Sequence, residues 1–169
     1  MRNIFVDGYN VINSWPELNK IKEYSFEAAR EKLIEMLQNY AAYRGYKIFV
    51  VFDAHMVKGS IEKKEKVNNV IIIFTKEGET ADSFIEKYVN SIGRKAEVCV
   101  VTSDSLEQQV TFQRGATRMS SLEFYNEVYD TQNRIRSKTK KNIAINRVLI
   151  EDRIDKNTLE KLEKIRKSR

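Results

Sequence analysis

Four aspartates stand where apolar runs give out. Val6 leads into Asp7, Phe52 into Asp53, and Val101-Thr102-Ser103 into Asp104, while Asp82 opens the helix expected after the run 70–74. In a parallel sheet the carboxyl ends of the strands share one edge, and ligands bind beyond it. All four acids are therefore expected on one rim. Each alone is an ordinary turn former or helix cap. Together they are like charges that repel at close range. A hard divalent cation, Mg²⁺ or Mn²⁺, supplies the missing counter-charge through oxygen ligands. The chemistry this set suits is metal-assisted cleavage of a phosphodiester. Asp7 and Asp82 are the expected main ligands, with Asp104 and Asp53 completing the inner or water-mediated shell.

The neighbours of these acids are read in the same way. Gly8 is expected to let the backbone turn beside Asp7. Asn10 can cap the next helix or hold Asp7 through its amide. Glu79, Asp82 and Glu86 share one helical stripe; Glu86 is read as solvated, and the other two sit where a helix N-terminus favours carboxylates. His55, the sole histidine, has no Ser or Cys partner in a nucleophile setting, so a catalytic triad is not expected. Cys99, the sole cysteine, lies among valines and reads as an inert core thiol. Trp15, in an expected loop with Pro16, could stack on a base or pack over the core.

The elements that must position these residues alternate. Apolar runs at 3–6, 46–52, 70–74 and 96–101 read as strands, with a short last strand at 116–119. Helices are expected at 25–44, with Ser25 as cap and Gly45 as stop, at 80–92 closed by Gly93, and at 106–112 ending near Gly115. Ser120 or Ser121 caps a further helix running towards Arg136. Residues 58–66 read as a polar loop, 137–150 give no clear period, and 156–167 read as a polar helix. Continuous apolar strands alternating with helices predict an α/β fold, with a mostly parallel sheet covered on both faces.

Composition narrows the classes. The 169 residues suit one ordinary domain with a tail, and 41% hydrophobic residues suffice for a core. No run approaches the ~20 apolar residues of a membrane span, and the N-terminus reads as a strand rather than a secretory signal. One Cys and one His exclude a disulfide framework and a Cys/His zinc site. A cytoplasmic protein is expected. Charge is uneven: residues 1–130 carry 17 Lys/Arg against 19 Asp/Glu, and residues 131–169 carry 13 against 5, giving −2 and +8. The basic arm, with Arg134, Arg136, Lys138, Lys140 and Lys141 at its start, is read either as a solvated face or as a contact for a phosphate backbone. It lacks a wide apolar face with Trp or Phe, so a membrane partner is not expected.

Asp7-Gly8-Tyr9-Asn10, then Val50-Val51-Phe52-Asp53-Ala54-His55, then Phe74-Thr75-Lys76-Glu77-Gly78-Glu79-Thr80-Ala81-Asp82, then Thr102-Ser103-Asp104 resemble the NYN-domain nucleases of the PIN-like superfamily. The likeness runs from about residue 2 to 130 and is strongest to the bacterial YacP-like branch, which includes a ribosome-associated A-site endoribonuclease. It implies a three-layer α/β/α PIN-like domain over 1–136, with a basic helical arm over 137–169. It also implies Mg²⁺- or Mn²⁺-dependent RNA cleavage without an organic cofactor. By motif position, Asp7, Asp53, Asp82 and Asp104 correspond to the family's acidic cluster and Asn10 to its motif asparagine. Ribosome-associated members further imply messenger RNA as substrate and the ribosome as partner. Two departures are visible: Gln109 stands where the branch usually has an aromatic, and the arm matches only in being basic. The rival readings are a non-catalytic RNA- or ribosome-binding module of the same fold, and a phosphoaspartate receiver. Arg118 rather than Lys after the late strand speaks against the receiver.

Overall fold

Successive residues of a strand face opposite sides of its sheet, and here both sides are apolar. Ile4, Val6, Ile48, Val50, Phe52, Val70, Ile72, Cys99 and Val101 belong to one buried cluster, and Phe5, Phe49, Val51, Ile73, Val98 and Val100 to another. The computed structural model describes residues 1–54, 61–103, 116–153 and 156–167. Strands β1 (Asn3–Asp7), β2 (Lys47–Phe52), β4 (Val70–Phe74), β5 (Val98–Val101) and β6 (Thr117–Met119) run parallel, and β3 (Lys63–Val67) pairs antiparallel with β4. They form one six-stranded sheet in the order β3-β4-β2-β1-β5-β6.

Helices α1 (Gly8–Ser14), α2 (Pro16–Tyr24), α3 (Phe26–Arg44) and the start of α5 (Ser121–Arg153) lie over the first face. Helix α4 (Ala81–Ile92) lies over the second through Ala81, Phe84, Ile85 and Val89. A 3₁₀ turn, Gly93–Lys95, leads into β5, and α6 (Lys156–Lys167) ends the described chain. The layered α/β/α architecture is thus as the sequence predicts.

Local signals account for most boundaries. Ser25 accepts from the Ala28 N–H at 3.2 Å to start α3, and Gly45, in the left-handed region at φ 70°, stops it. A reciprocal capping box starts α5: Ser120 Oγ accepts from the Glu123 N–H, and Glu123 Oε2 accepts from the Ser120 N–H at 3.0 Å. This selects Ser120 of the two candidate caps.

Three expectations need correction. Residues 63–66, read as part of a loop, lie in the edge strand β3, which pairs with β4 and whose exposed lysines discourage further pairing. The turn expected at Gly8 and the loop expected at Trp15 and Pro16 are instead the start of α1 and the junction of α1 with α2, with Pro16 in the first turn of α2. The helix expected to run towards Arg136 continues to Arg153, because no Gly or Pro interrupts residues 121–153. The helix expected at 106–112 lies outside the described residues.

The chain divides into two compact units, Met1–Gln132 and Asn133–Arg169. The first holds the sheet and both buried clusters. The second comprises the remainder of α5 and α6, and its described side chains are nearly all exposed. Among the described residues no helix is long and apolar enough to cross a membrane.

Candidate active site at the carboxyl edge of the sheet

The chain passes from β1 outwards through β2 to β4 on one side, then returns to β5 and β6 on the other. Strand β1 therefore lies at the topological switch, where an open parallel sheet leaves a crevice beyond its carboxyl ends. Asp7 ends β1 beside Val51, and Val6 pairs with Val101. Asp53 follows β2 by one residue, so it emerges next to Asp7. Asp82 lies in the first turn of α4, which Thr80 caps by accepting from the Ser83 N–H at 3.1 Å.

Asp7 is also the N-cap of α1, its Oδ1 accepting from the Asn10 N–H at 3.3 Å. The next residue must be glycine for a reason other than the expected turn. Gly8 is not among the positive-φ residues, but a Cβ there would stand 2.3 Å from Cε1 of Phe52. Close approach of α1 to the Phe52 ring, rather than backbone freedom, requires the missing side chain.

The Asp7 carboxyl is pushed above its ordinary range, first by burial. The Asn10 N–H opposes this; the charge of Asp53 then raises it, and a hydrogen bond with the Asp82 side chain and the Tyr9 N–H lower it. Asp53 and Asp82 are therefore each close to Asp7. Two carboxyl groups in a hydrogen bond need one proton between them, which a divalent cation can replace. The pair Asp7–Asp82 fits such an ion in donor type and in its deficit of positive charge. Among the described residues no group of three His, Cys, Asp or Glu side chains is gathered to hold a metal. Asp104, the further acid expected here, lies outside the described residues, as do His55 and Gln109.

Two hydrogen-bonded clasps hold the loops that carry these acids. Thr75, fully buried, accepts from the Ala54 N–H at 2.9 Å and donates to the Glu79 carbonyl at 2.8 Å. One hydroxyl thus ties the residue after Asp53 to the loop before Asp82. On the other side of β1, Oδ1 of Asn10 accepts from Ser103 Oγ at 3.0 Å and Ser121 Oγ at 2.8 Å. Asn10 joins the ends of β1 and β5 to the start of α5, a role broader than the cap or Asp7 clamp expected of it. Trp15 is fully buried and donates its indole N–H to the Ser121 carbonyl at 2.9 Å, so it packs in the core and is not a base-stacking surface.

The sequence offers Thr75 and Ser103 only as members of motifs and Ser121 only as a candidate helix cap, and gives none of them a role in the site. Their only signal is position one or two residues past a strand end, which many inert hydroxyls share. Glu79 precedes α4 and pairs with Lys87 at 3.3 Å, while Glu86 is exposed as expected. Cys99 is buried, and burial pushes its thiol up, away from reactivity. Arg134, Arg136, Lys138, Lys140 and Lys141 are exposed on α5, within the second unit.

Comparison with known proteins agrees with this architecture. Residues 4–167 match the YacP-like NYN domain. An uncharacterised protein, YacP, of Bacillus subtilis (strain 168) is 45% identical over 139 residues, covering 82% of this chain and 81% of that protein. The crystal structure of Rae1 (YacP) from Bacillus subtilis superposes with a TM-score of 0.74 at 39% identity, covering 99% of this chain and 95% of that one. A substituted form of the same protein gives 0.74 and 39% over 85% of each chain. With likeness in sequence and fold over nearly its whole length, the chain belongs to the YacP-like NYN domain family, a nuclease-type, RNA-related group.

Proposed function

We propose that the protein is a Mg²⁺- or Mn²⁺-dependent endoribonuclease, acting in the cytoplasm on messenger RNA in the A site of the translating ribosome. One observation carries the chemistry: the partly buried Asp7 carboxyl, at the switch point of the sheet, lies close to Asp82 and to the charge of Asp53. Such a set is unfavourable without a cation and repels a phosphate backbone unless one is present. Family membership supports RNA as the substrate class.

In this reading Asp7 and Asp82 hold the ion, and Asp104 completes the ligand set. Asp53 acts through its charge or through a coordinated water. An ion held by these residues would supply positive charge to the scissile phosphate and acidify a water. The Thr75 clasp fixes the separation of the Asp53 and Asp82 loops, and the Asn10 clasp fixes the end of β5. The cations from Arg134 to Lys141 attract the RNA or ribosomal RNA backbone.

The test is cleavage of messenger RNA on translating ribosomes, with and without Mg²⁺, comparing the unaltered protein with Asp7→Asn. Metal-dependent cutting that disappears in Asp7→Asn is the expected result. Binding to ribosomes without cutting at any metal concentration would instead establish a non-catalytic RNA- or ribosome-binding module of the same fold.

A further inference from the structure

The body of the protein has no excess of positive charge, with 17 Lys/Arg against 19 Asp/Glu over residues 1–130. A polyanion approaching its acidic edge needs local cations. Two lie on the α1–α3 side of that edge, and both sit over aromatic rings. Lys22 Nζ is 5.9 Å from the Phe26 ring centre, and the Arg30 guanidinium is 5.8 Å from that of Phe74. The rings are continuous with each other. Tyr9 meets Phe26 edge-on at 5.8 Å and Phe52 at 5.2 Å, and Phe52 stacks on Phe74 at 5.4 Å. Tyr9, Phe26 and Phe74 are half-buried against the core rather than sealed within it.

We infer that Lys22, Phe26, Tyr9, Arg30 and Phe74 form a track that binds single-stranded RNA and leads it to Asp7. The cleavage this would serve rests on the function proposed above; the binding does not. Arg30 is the centre of the track. Among the described residues its one hydrogen bond is a long one, donated to the Tyr9 hydroxyl at 3.4 Å, and it makes no ion pair. A guanidinium held over a ring still has N–H groups to offer phosphate oxygens, and Arg30 lies over Phe74 in this way. Tyr9 lies two residues after Asp7 in the first turn of α1, the helix that Asp7 caps, so it places this cation beside the acids.

Cations alternating with rings suit a single strand, whose bases present faces and whose backbone presents phosphates. A paired duplex hides its base faces, and an acidic peptide offers nothing to the rings. The arrangement therefore favours unpaired RNA over either.

The experiment is fluorescence anisotropy of a fluorescein-labelled, unstructured RNA 12-mer with the full chain, in EDTA so that nothing is cut, across a salt series. Arg30→Gln is expected to weaken binding about five- to tenfold and to reduce the log–log salt slope by about 0.7, the share of one phosphate neutralised on a single strand. Arg30→Lys should keep the slope and lose part of the affinity, since it retains charge but not the planar fork. Lys22→Gln, at the outer end of the track, should also lower the slope, and it decides the matter if Arg30→Gln fails to fold. An unchanged affinity and slope in the folded variants would overturn the inference, as would equal competition by polyglutamate or by duplex RNA of the same length. A reduced slope in a protein that never cleaves RNA leaves the track standing and removes the nuclease reading. Metal-dependent cleavage with an unaltered slope does the reverse.

Discussion

The two units of this chain treat most of their large apolar residues in opposite ways. In Met1–Gln132, Trp15, Tyr40, Phe5 and Phe52 are wholly buried. In Asn133–Arg169, Ile143 is 62% exposed and Ile150 is 58% exposed. The charges are divided as well, −2 over residues 1–130 and +8 over 131–169. The first unit is held by packing within its own core, so its site can be fixed to within a hydrogen bond. The second unit is helix whose side chains mostly meet solvent, and its strongest physical property is charge. Under the proposed function this division would separate where RNA is cut from much of what attracts it, and each half of that claim can be broken on its own.

The largest effect expected is on cleavage. Asp82→Asn is nearly isosteric but deletes a charge the ion needs, so cutting should fall by more than about a hundredfold. The melting temperature should hold or rise, because repulsion with Asp7 and Asp53 is relieved. Cutting at an unaltered rate by folded Asp82→Asn would place the chemistry elsewhere. Next is the arm. Neutralising Arg134, Arg136, Lys138, Lys140 and Lys141 together should weaken RNA or ribosome binding about ten- to a hundredfold. It should also flatten the salt slope by roughly 0.7 to 0.9 for each phosphate that is no longer neutralised. Single-turnover cleavage of bound substrate should change little. If the arm is only a solvated face, affinity and slope will both stay put.

Smaller effects sharpen the contrast in packing. Gly8→Ala drives a methyl into the Phe52 ring and should cost about 1–3 kcal/mol in urea unfolding. By comparison, Ile150→Ser should stay within about 0.5 kcal/mol, and a larger destabilisation would show that α5 is held along that face. Between these lies a pH effect. The Asp7 carboxyl is raised above its ordinary value in the fold, so the native state binds more protons than the unfolded chain between the ordinary and the raised value. Stability from this group is complete below the ordinary value and is lost as pH climbs through the raised one. In metal-free buffer, the stability of Asp7→Asn relative to the unaltered protein should therefore grow with pH across that window and then level off. A difference independent of pH would mean that Asp7 is not strained by burial.

Much of this architecture is legible from residue types. Continuous apolar runs announce the parallel strands, because a strand covered on both faces has no polar side to show. Asp7, Asp53 and Asp82 can be placed together because strand ends in such a sheet share an edge. The misreadings have physical causes too. Strand β3 is polar since an edge can be held by backbone pairing alone. Helices α1 and α2 are too short for a period to stand out. Trp15 reads as available because nothing local reveals a carbonyl 106 residues away, at Ser121, that accepts its indole N–H. The Thr75 clasp is invisible for the same reason: its partners, Ala54 and Glu79, become neighbours only once β2 and β4 are paired.

The Asn10 clasp has a consequence for what that side chain can offer a ligand. A carboxamide oxygen has two lone pairs, and here the hydroxyls of Ser103 and Ser121 engage both. No electron pair is left over to coordinate a cation. The other end of the amide is its NH₂, which can only give protons, so under the proposed function Asn10 would meet the anionic substrate and not the metal. An asparagine placed beside the aspartates of the candidate site is thereby turned into a group of opposite polarity, and the two serines that turn it are as much a part of the site's electrical design as the acids themselves.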